Sequence, residues 1–556
     1  MMLPSFGAMK NRAVQMLEFR GLDLRDKAGN GSLQVSHNLS ADAYPAVVPR
    51  KPRQKVAEKS GISAICPPEN TGEALTAFTG VRNGMFYYQG EGISGPYIVG
   101  GEKSIVDFNG KICIFPDKLY YDYLPDPDTG EVSKYVLPME KTINLSGVQF
   151  YSSYNTMTGD YTAYLQKTGG NFSTFQVGDS ICISGCTKEK NNTVTIDGRK
   201  SYAASDAIVS AVVESVTSSR LNLLLFNKQG GYATFQNTTE SGSVTIKVSI
   251  PDMNHVCVHN NRLWGTAENG EYIYASKLGD CQNFNSFQGL SEDSWYGRIG
   301  TPGEFTGICS YRSAVVAFKR ECIHHVYGDA PRNFSIPKQT LGGCVDGRSI
   351  AELSGVLYYL SPTGFSVYGG GEPYCISYQL GSKNYCRAAA GSDGRRYIAA
   401  AYTEEGECDV LVYDPNFGVW YREDDTPYLG FLTMGGRLYG ATADAVWAFG
   451  YGEELVEWSL TTTPFTYHTM EHKGVNCLWL RLEREKDARV TVEISHDGGD
   501  FISCGELSPD QGFGVKRIPV RFQNCDSFRL RISGTGHVVL HDLEITTHQG
   551  GKTYGL

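Results

Sequence analysis

Residues able to do acid–base, nucleophilic or metal chemistry are plentiful in this 556-residue chain, but few stand at spacings that converge. His255 and His259 are four apart, the interval of two metal ligands on one helix face. VCVHNN, however, reads as a strand entering a turn, where positions i and i+4 lie about 13 Å apart and cannot share an ion. His324 and His325 are adjacent and so point to opposite faces of a strand. Cys182 and Cys186, in CISGC, flank a Ser-Gly turn with no second pair at zinc-finger spacing, so a hairpin contact is expected there before zinc. Ser495-His496-Asp497-Gly498-Gly499-Asp500-Phe501 fits most of the pattern S-x-D-x-G, with Ile502 where that pattern ends in Trp. In such boxes the aspartate folds back to hydrogen-bond its turn and touches no substrate.

Carboxylates offer the remaining route to catalysis, since a glycosidase needs two of them converging on one bond. Glu404, Glu405, Glu407 and Asp409 fall in a polar hairpin, and Glu423, Asp424 and Asp425 in a loop. Runs of this kind read as solvated turns. The pairs Tyr87-Tyr88, Tyr120-Tyr121 and Tyr358-Tyr359 suit packing within strands better than stacking on sugars or bases. No nucleophile elbow, Walker loop or H-E-x-x-H occurs. The sequence therefore assigns no catalytic, cofactor-binding or metal-ligating residue, and no cofactor.

The elements that would position these residues follow one repeated phrase: a short apolar strand, a tight turn with Gly or Asn, a second strand, then a third ending in aromatics. It recurs at 256–276, 306–328, 348–369, 387–423 and 428–450, and again at 74–90 and 103–123. A small antiparallel sheet cannot bury both faces alone, so such units stack radially, and an all-β propeller of about seven blades is predicted. Blades are assigned to 73–139 and 251–452. Residues 140–250 break the repeat with FQVGDSICISGC, DAIVSAVVESVTSSRLNLLL and GSVTIKVSI, read as a small barrel inserted in a surface loop. Residues 453–556 alternate strictly and suggest a terminal β-sandwich. Residues 1–72, with a basic run PRKPRQK and five prolines after Tyr44, read as an extended arm that docks on a neighbouring subunit.

Composition narrows the class further. Gly 64, Tyr 34 and Phe 25 suit many short strands and turns, and a formal charge of −10 argues against a protein whose main task is to grip nucleic acid. Most of the 15 cysteines lie singly inside apolar strands, where they act as small hydrophobes. No run approaches the roughly 20 apolar residues of a membrane span, and a protein made in a reducing cytosol is expected.

Three phrases carry more than fold class. His259-Asn260-Asn261-Arg262-Leu263-Trp264, then Tyr274-Ala275-Ser276, then Gly279-Asp280-Cys281-Gln282-Asn283-Phe284, resembles the virion propellers of tailed phages: the tail nozzle (tail tubular protein B) and packaged-DNA stabilisation proteins. Asn38-Leu39-Ser40, Tyr44-Pro45 and Pro49-Arg50 look like the opening of such proteins, and Gly342-Gly343-Cys344 with Leu357-Tyr358-Tyr359-Leu360-Ser361 and Gly364-Phe365 like their later blades. The resemblance implies a non-catalytic ring-forming subunit, with a hexamer among the ring orders entertained. It would be assembled in the bacterial host cytoplasm and carried in the virion, touching other tail or connector proteins while DNA passes transiently through a lumen. Two other classes stay open: a carbohydrate-binding or carbohydrate-active propeller, and a capsid decoration or receptor-binding protein that contacts the host surface. Trp264 is expected to be buried between blades, Asn260 to shape a turn, and Asn283-Phe284 to lie in the loop leading to the next blade.

Overall fold

The structure, a computed structural model, describes residues 11–25, 28–66, 74–127, 129–194, 205–337, 340–466, 472–507, 511–520 and 524–549. The fold is all-β. Runs of β-branched and aromatic residues make the strands, and Asn, Asp and Gly make the turns between them. Seven four-stranded antiparallel sheets are the blades of a β-propeller, accompanied by an inserted barrel and a C-terminal sandwich. The chain divides into two units, Ser63–Asn70 with Phe78–Gly347, and Met1–Ile62 with Thr71–Ala77 and Arg348–Leu556.

The unit centred on Phe78–Gly347 holds the first four blades and the barrel. In the third blade, strands Met253–His259, Arg262–Ala267, Tyr272–Ala275 and Trp295–Arg298 pair in chain order. Asn260 and Asn261 turn the first hairpin with φ of 47° and 54°, the mirror-image turn whose twist matches that of paired strands. First strands of successive blades touch: the Val256 N–H donates to Ser104 Oγ at 3.0 Å, and His255 Nε2 lies 3.2 Å from the Phe305 carbonyl. Trp264, only 2% exposed, joins Ile273, Phe305, Val315 and Val326 in one apolar cluster between the third and fourth blades.

The barrel sheet comprises Lys141–Tyr154, Tyr161–Gln166, Cys182–Ser184, Ser210–Val216, Arg220–Phe226 and Thr238–Val248. It closes through the Ile181 N–H to the Ala211 carbonyl (2.8 Å) and the Val213 N–H to the Asp179 carbonyl (2.9 Å). Phe150, Leu165, Ile183, Leu223 and Ile246 fill its interior. The three segments expected from sequence supply four of the six strands. The two adjacent strands Lys141–Tyr154 and Tyr161–Gln166 escaped notice because Tyr151, Ser153, Thr162 and Tyr164 on their outer face dilute the apolar signal.

The other unit holds the last three blades and the sandwich, and it corrects the reading of residues 1–72 as an arm for a neighbouring subunit. Asn11–Met16 pairs with Val538–Gln549, Leu33–His37 with Glu457–Thr462, and Arg53–Glu58 with Ala445–Phe449 as the fourth strand of the last blade. Ile62–Ile65 is itself the first strand of the first blade, so the blades begin before residue 73. The physical reason is edge satisfaction: an unpaired outer strand exposes a row of N–H and C=O groups, and the N-terminal strands cover such edges within the same chain. Pro45 and Pro52, which suggested an extended arm, occupy the connections between these strands. The sandwich encloses Leu460, Leu478, Leu480, Val492, Leu530 and Leu543 between two five-stranded sheets.

Candidate functional site

Two clusters of buried charge stand out, one in each unit. In the third blade Arg262 opens the second strand and is 1% exposed. Its Nη1 donates to the carbonyls of Ser276 (2.7 Å), Asp293 (2.6 Å) and Glu292 (3.3 Å), and its Nη2 to that of Ser291 (2.7 Å). Burial pulls the Arg262 pKa below the usual arginine value, against the pull of Asp293 and Glu292. The rest of the phrase joins the same loop. The Leu263 N–H donates to Ser276 Oγ (3.0 Å), and the Gly279 N–H to the Asn261 carbonyl (2.9 Å). Trp264 Nε1 donates to the His259 carbonyl at 3.2 Å.

This loop also holds the barrel. The Asn285 carbonyl accepts from Ser180 Oγ (2.7 Å) and Ser210 Oγ (3.1 Å), while Asn285 Nδ2 donates to the Ser249 carbonyl (2.8 Å). Asn283 and Phe284 therefore lie between the third and fourth strands of one blade, and the expectation that they lead to the next blade is corrected. A fourth strand, Trp295–Arg298, follows them and was hidden by its short, Gly-containing sequence.

The second cluster joins the N-terminal basic run to the acidic loop after the sixth blade, within one unit. Arg53 Nη1 donates to Asp424 Oδ2 (2.7 Å) and Tyr428 Oη (2.9 Å), and Arg53 Nη2 to Glu423 Oε2. Arg50 Nε donates to Asn38 Oδ1 (2.7 Å), and Arg50 Nη2 stands 3.5 Å from Asp424 Oδ2. Asn38, with φ 55°, donates through Nδ2 to the Glu457 carbonyl at 2.8 Å, tying in the sandwich strand Glu457–Thr462. Glu423 and Asp424 are thus buried (3% and 9% exposed), which corrects their reading as a solvated turn; Asp425 alone faces solvent.

Burial works against the charge on Arg53, but Glu423, Tyr428 and Asp424 outweigh it and leave its pKa raised. Burial also raises the Asp424 carboxyl, but Arg53, the Thr426 hydrogen bonds and Arg50 together outweigh it, so Asp424 sits below the usual carboxylate range. Beside these groups opens a cleft of about 280 Å³, bordered by Arg50, Arg53, Asp424, Tyr428 and Trp447, with Glu454 and Glu457 also lining it.

His259 Nδ1 meets Ser310 Oγ at 2.8 Å while His255 reaches Phe305, so the two histidines bind different partners. His324 and His325 are both buried; burial, Lys319 and His325 push the His324 pKa down to about 4. Asp409 is buried rather than solvated, accepting from Lys383, Tyr385 Oη (2.8 Å) and Arg422 Nε (2.6 Å), whereas Glu404, Glu405 and Glu407 are exposed. Asp497 Oδ1 accepts the N–H groups of Asp526 and Ser527, both at 2.8 Å, and pins two loops of the sandwich together. The 15 cysteines, Cys182 and Cys186 included, are free thiols. Among the described residues no group of three or more His, Cys, Asp or Glu could hold a metal ion, and no helix is long and apolar enough to cross a membrane.

No family model matches the chain, and no curated protein matches its sequence. Its folded form is similar to a chain in the crystal structure of the mitotic checkpoint complex, at 7% identity and a TM-score of 0.27, covering 62% of this chain and 85% of that one. It is also similar to the exo-beta-1,3-galactanase from Phanerochaete chrysosporium solved with galactose, at 9% identity, TM-score 0.21, and coverage of 52% and 95%. A third likeness is Bacteroides ovatus Xyloglucan PUL GH43B, at 9% identity, TM-score 0.21, and coverage of 53% and 97%. Likenesses this distant carry no argument about activity.

Proposed function

We propose that the chain is a structural component of a tailed-phage particle, a ring-forming propeller subunit of the tail or head-to-tail junction that contacts other virion proteins and lets DNA pass. The observation that supports this reading is the use to which two of the resembling phrases are put. Asn38 and Arg50 bind the N-terminal segment to the sandwich and the acidic loop, and Arg262 and Ser276 bind one blade to the loop that holds the barrel. These polar residues build architecture, and the buried carboxylates Asp409, Glu423 and Asp424 are neutralised by Arg and Lys of the same chain. Carboxylates locked in this way are poor general acids or nucleophiles. The formal charge of −10 suits a conduit wall that repels phosphate.

The test is assembly. The purified full chain, imaged by negative-stain electron microscopy, should form closed rings, and antibody to it should label tailed particles at the tail or neck. A monomer that turns over a polysaccharide, with turnover abolished by one Asp or Glu substitution, would replace this reading with an enzymatic one.

A further inference from the structure

Two exposed surfaces of the chain have complementary character. The first lies on the first two blades, within one unit. The Val136 N–H donates to the Ser94 carbonyl (2.8 Å) and the Val99 N–H to Asp117 Oδ1 (2.8 Å), so residues 94–99 run beside Val136–Pro138, the outer strand of the second blade. The Ile98 N–H donates to the Gly84 carbonyl (2.8 Å), and the Tyr97 ring covers Gly84 so closely that a Cβ there would lie 2.1 Å from it. This brings Met85, Tyr97, Val99, Tyr135 and Leu137 to one surface, each at least 40% exposed. Apolar exposure on this scale marks a contact surface. Among the described residues of 84–137, the carboxylates of Glu91, Glu102, Asp126 and Glu131 are exposed, against one exposed cation, Lys134.

The second surface is the sandwich strand Gly512–Pro519, which ends its sheet with no strand beyond it among the described residues. The Val520 N–H donates to the Asn476 carbonyl (3.1 Å), and amide directions alternate along an antiparallel ladder. The N–H groups of Phe513, Val515 and Arg517 therefore point off the edge. Pro519, which has no N–H to offer, takes the next outward position. Phe513 is 65% and Val515 51% exposed, and the two charges on the strand, Lys516 and Arg517, are both positive. An edge of this length with exposed apolar side chains is a template for association.

The two surfaces match in sign and in apolar content. One carries aromatic side chains fringed by carboxylates, and the other carries Phe513 and Val515 beside cations and outward N–H donors. Each surface repels a second copy of itself, because like charges meet there, so a symmetric pairing of either is disfavoured. One chain supplies both halves, and unlike surfaces joined head to tail build a ring when the rotation closes. We propose that the edge strand Gly512–Pro519 of one copy docks on the acid-fringed aromatic surface around Tyr97 and Tyr135 of the next. The docking deepens the ring reading above and rests on it.

Sedimentation velocity and negative-stain imaging of the full chain test it. The parent should form closed rings. Lys516→Glu with Arg517→Glu, or Glu91→Lys with Glu131→Lys, should each raise the concentration needed for assembly at least about tenfold, at an unchanged melting temperature. All four changes in one chain should restore the rings, and so should an equal mixture of the two double variants, whose copies would alternate. Tyr97→Ser and Phe513→Ser, one from each surface, should each weaken assembly as well, and they decide the matter if a charge variant melts early. Rings that form equally well in every variant with the parent melting temperature overturn the docking and leave the ring reading to another surface. Loss of rings without recovery, in a four-fold variant that melts like the parent, overturns it too, since the two surfaces then do not meet. A parent that stays monomeric, or stops at a dimer, overturns the docking and the ring reading together.

Discussion

Arg53 and Arg262 are both buried arginines at the start of a strand, yet they solve the same problem in different ways. Arg262 donates to four backbone carbonyls and accepts no help from a carboxylate hydrogen bond. Arg53 answers two carboxylates and a tyrosine that lie some 370 positions away in sequence. The first is a local staple that fixes the shape of one loop. The second is a long-range tie, in which each partner is stable only because the other is present, since an unpaired buried charge is far more costly than a lost surface pair.

The sharpest break of this comparison is removal of the long-range partner altogether. Deleting residues 11–58 takes away the fourth strand of the last blade and one strand from each sheet of the sandwich. Circular dichroism should show loss of the cooperative melt of that unit; an unchanged melt would mean that the N-terminal strands are dispensable additions. Next in size is Arg53→Met, which leaves Glu423 and Asp424 buried with only their longer contacts to Arg50 (3.7 and 3.5 Å) and should cost about 3–5 kcal/mol. Adding Glu423→Gln and Asp424→Asn to that variant should recover much of the loss in a thermal melt. No recovery would show that the arginine acts by packing alone.

Acid should separate the two units. His324, in the unit that carries Arg262, has its pKa lowered from 6.5 to about 4 by burial, then by Lys319 and His325. The unfolded chain takes up this proton near pH 6.5 and the folded chain does not, so stability falls as pH drops from about 6.5 to about 4, by on the order of 1 kcal/mol per pH unit. His324→Gln should flatten that slope. The depressed Asp424 acts in a lower window: its contribution is complete above the unfolded value near 4 and is lost as pH falls below it. Coincident acid transitions in parent and His324→Gln protein would refute the assignment. The smallest effect is Arg262→Lys, which keeps the charge but loses the planar fork. It should cost about 1 kcal/mol, read as faster proteolysis within residues 276–294 without loss of the blade.

The blades were legible because their signals are local. Turn residues such as Asn260 announce hairpins, and apolar strands on either side complete each unit. Trp264 was legible too, as a large apolar residue on a strand flanked by others. The N-terminal strands were not, because LQVSH and RQKVAE look polar, and nothing near them in sequence reveals that their partners are Glu457–Thr462 and Ala445–Phe449. The cleft had a sign that went unread: a basic run at 49–55 and an acidic run at 423–425, each read as solvated or extended by itself, cancel when brought together. Opposite charge runs in one chain say that they are able to meet, but only pairing of distant strands says that they do.

The strand Arg53–Glu58 has a further consequence in time. Its partner, Ala445–Phe449, is made long after it, and at the usual pace of translation roughly 20–80 s separate the two. Throughout that interval a polar strand waits with no sheet to join, and its basic side chains stay in water. A sequence rich in Lys, Arg, Gln and Glu tolerates the wait without sticking to other nascent chains, which an apolar edge strand would not. The polarity that hid this strand from view is what allows the ribosome to deliver it early and the fold to collect it late.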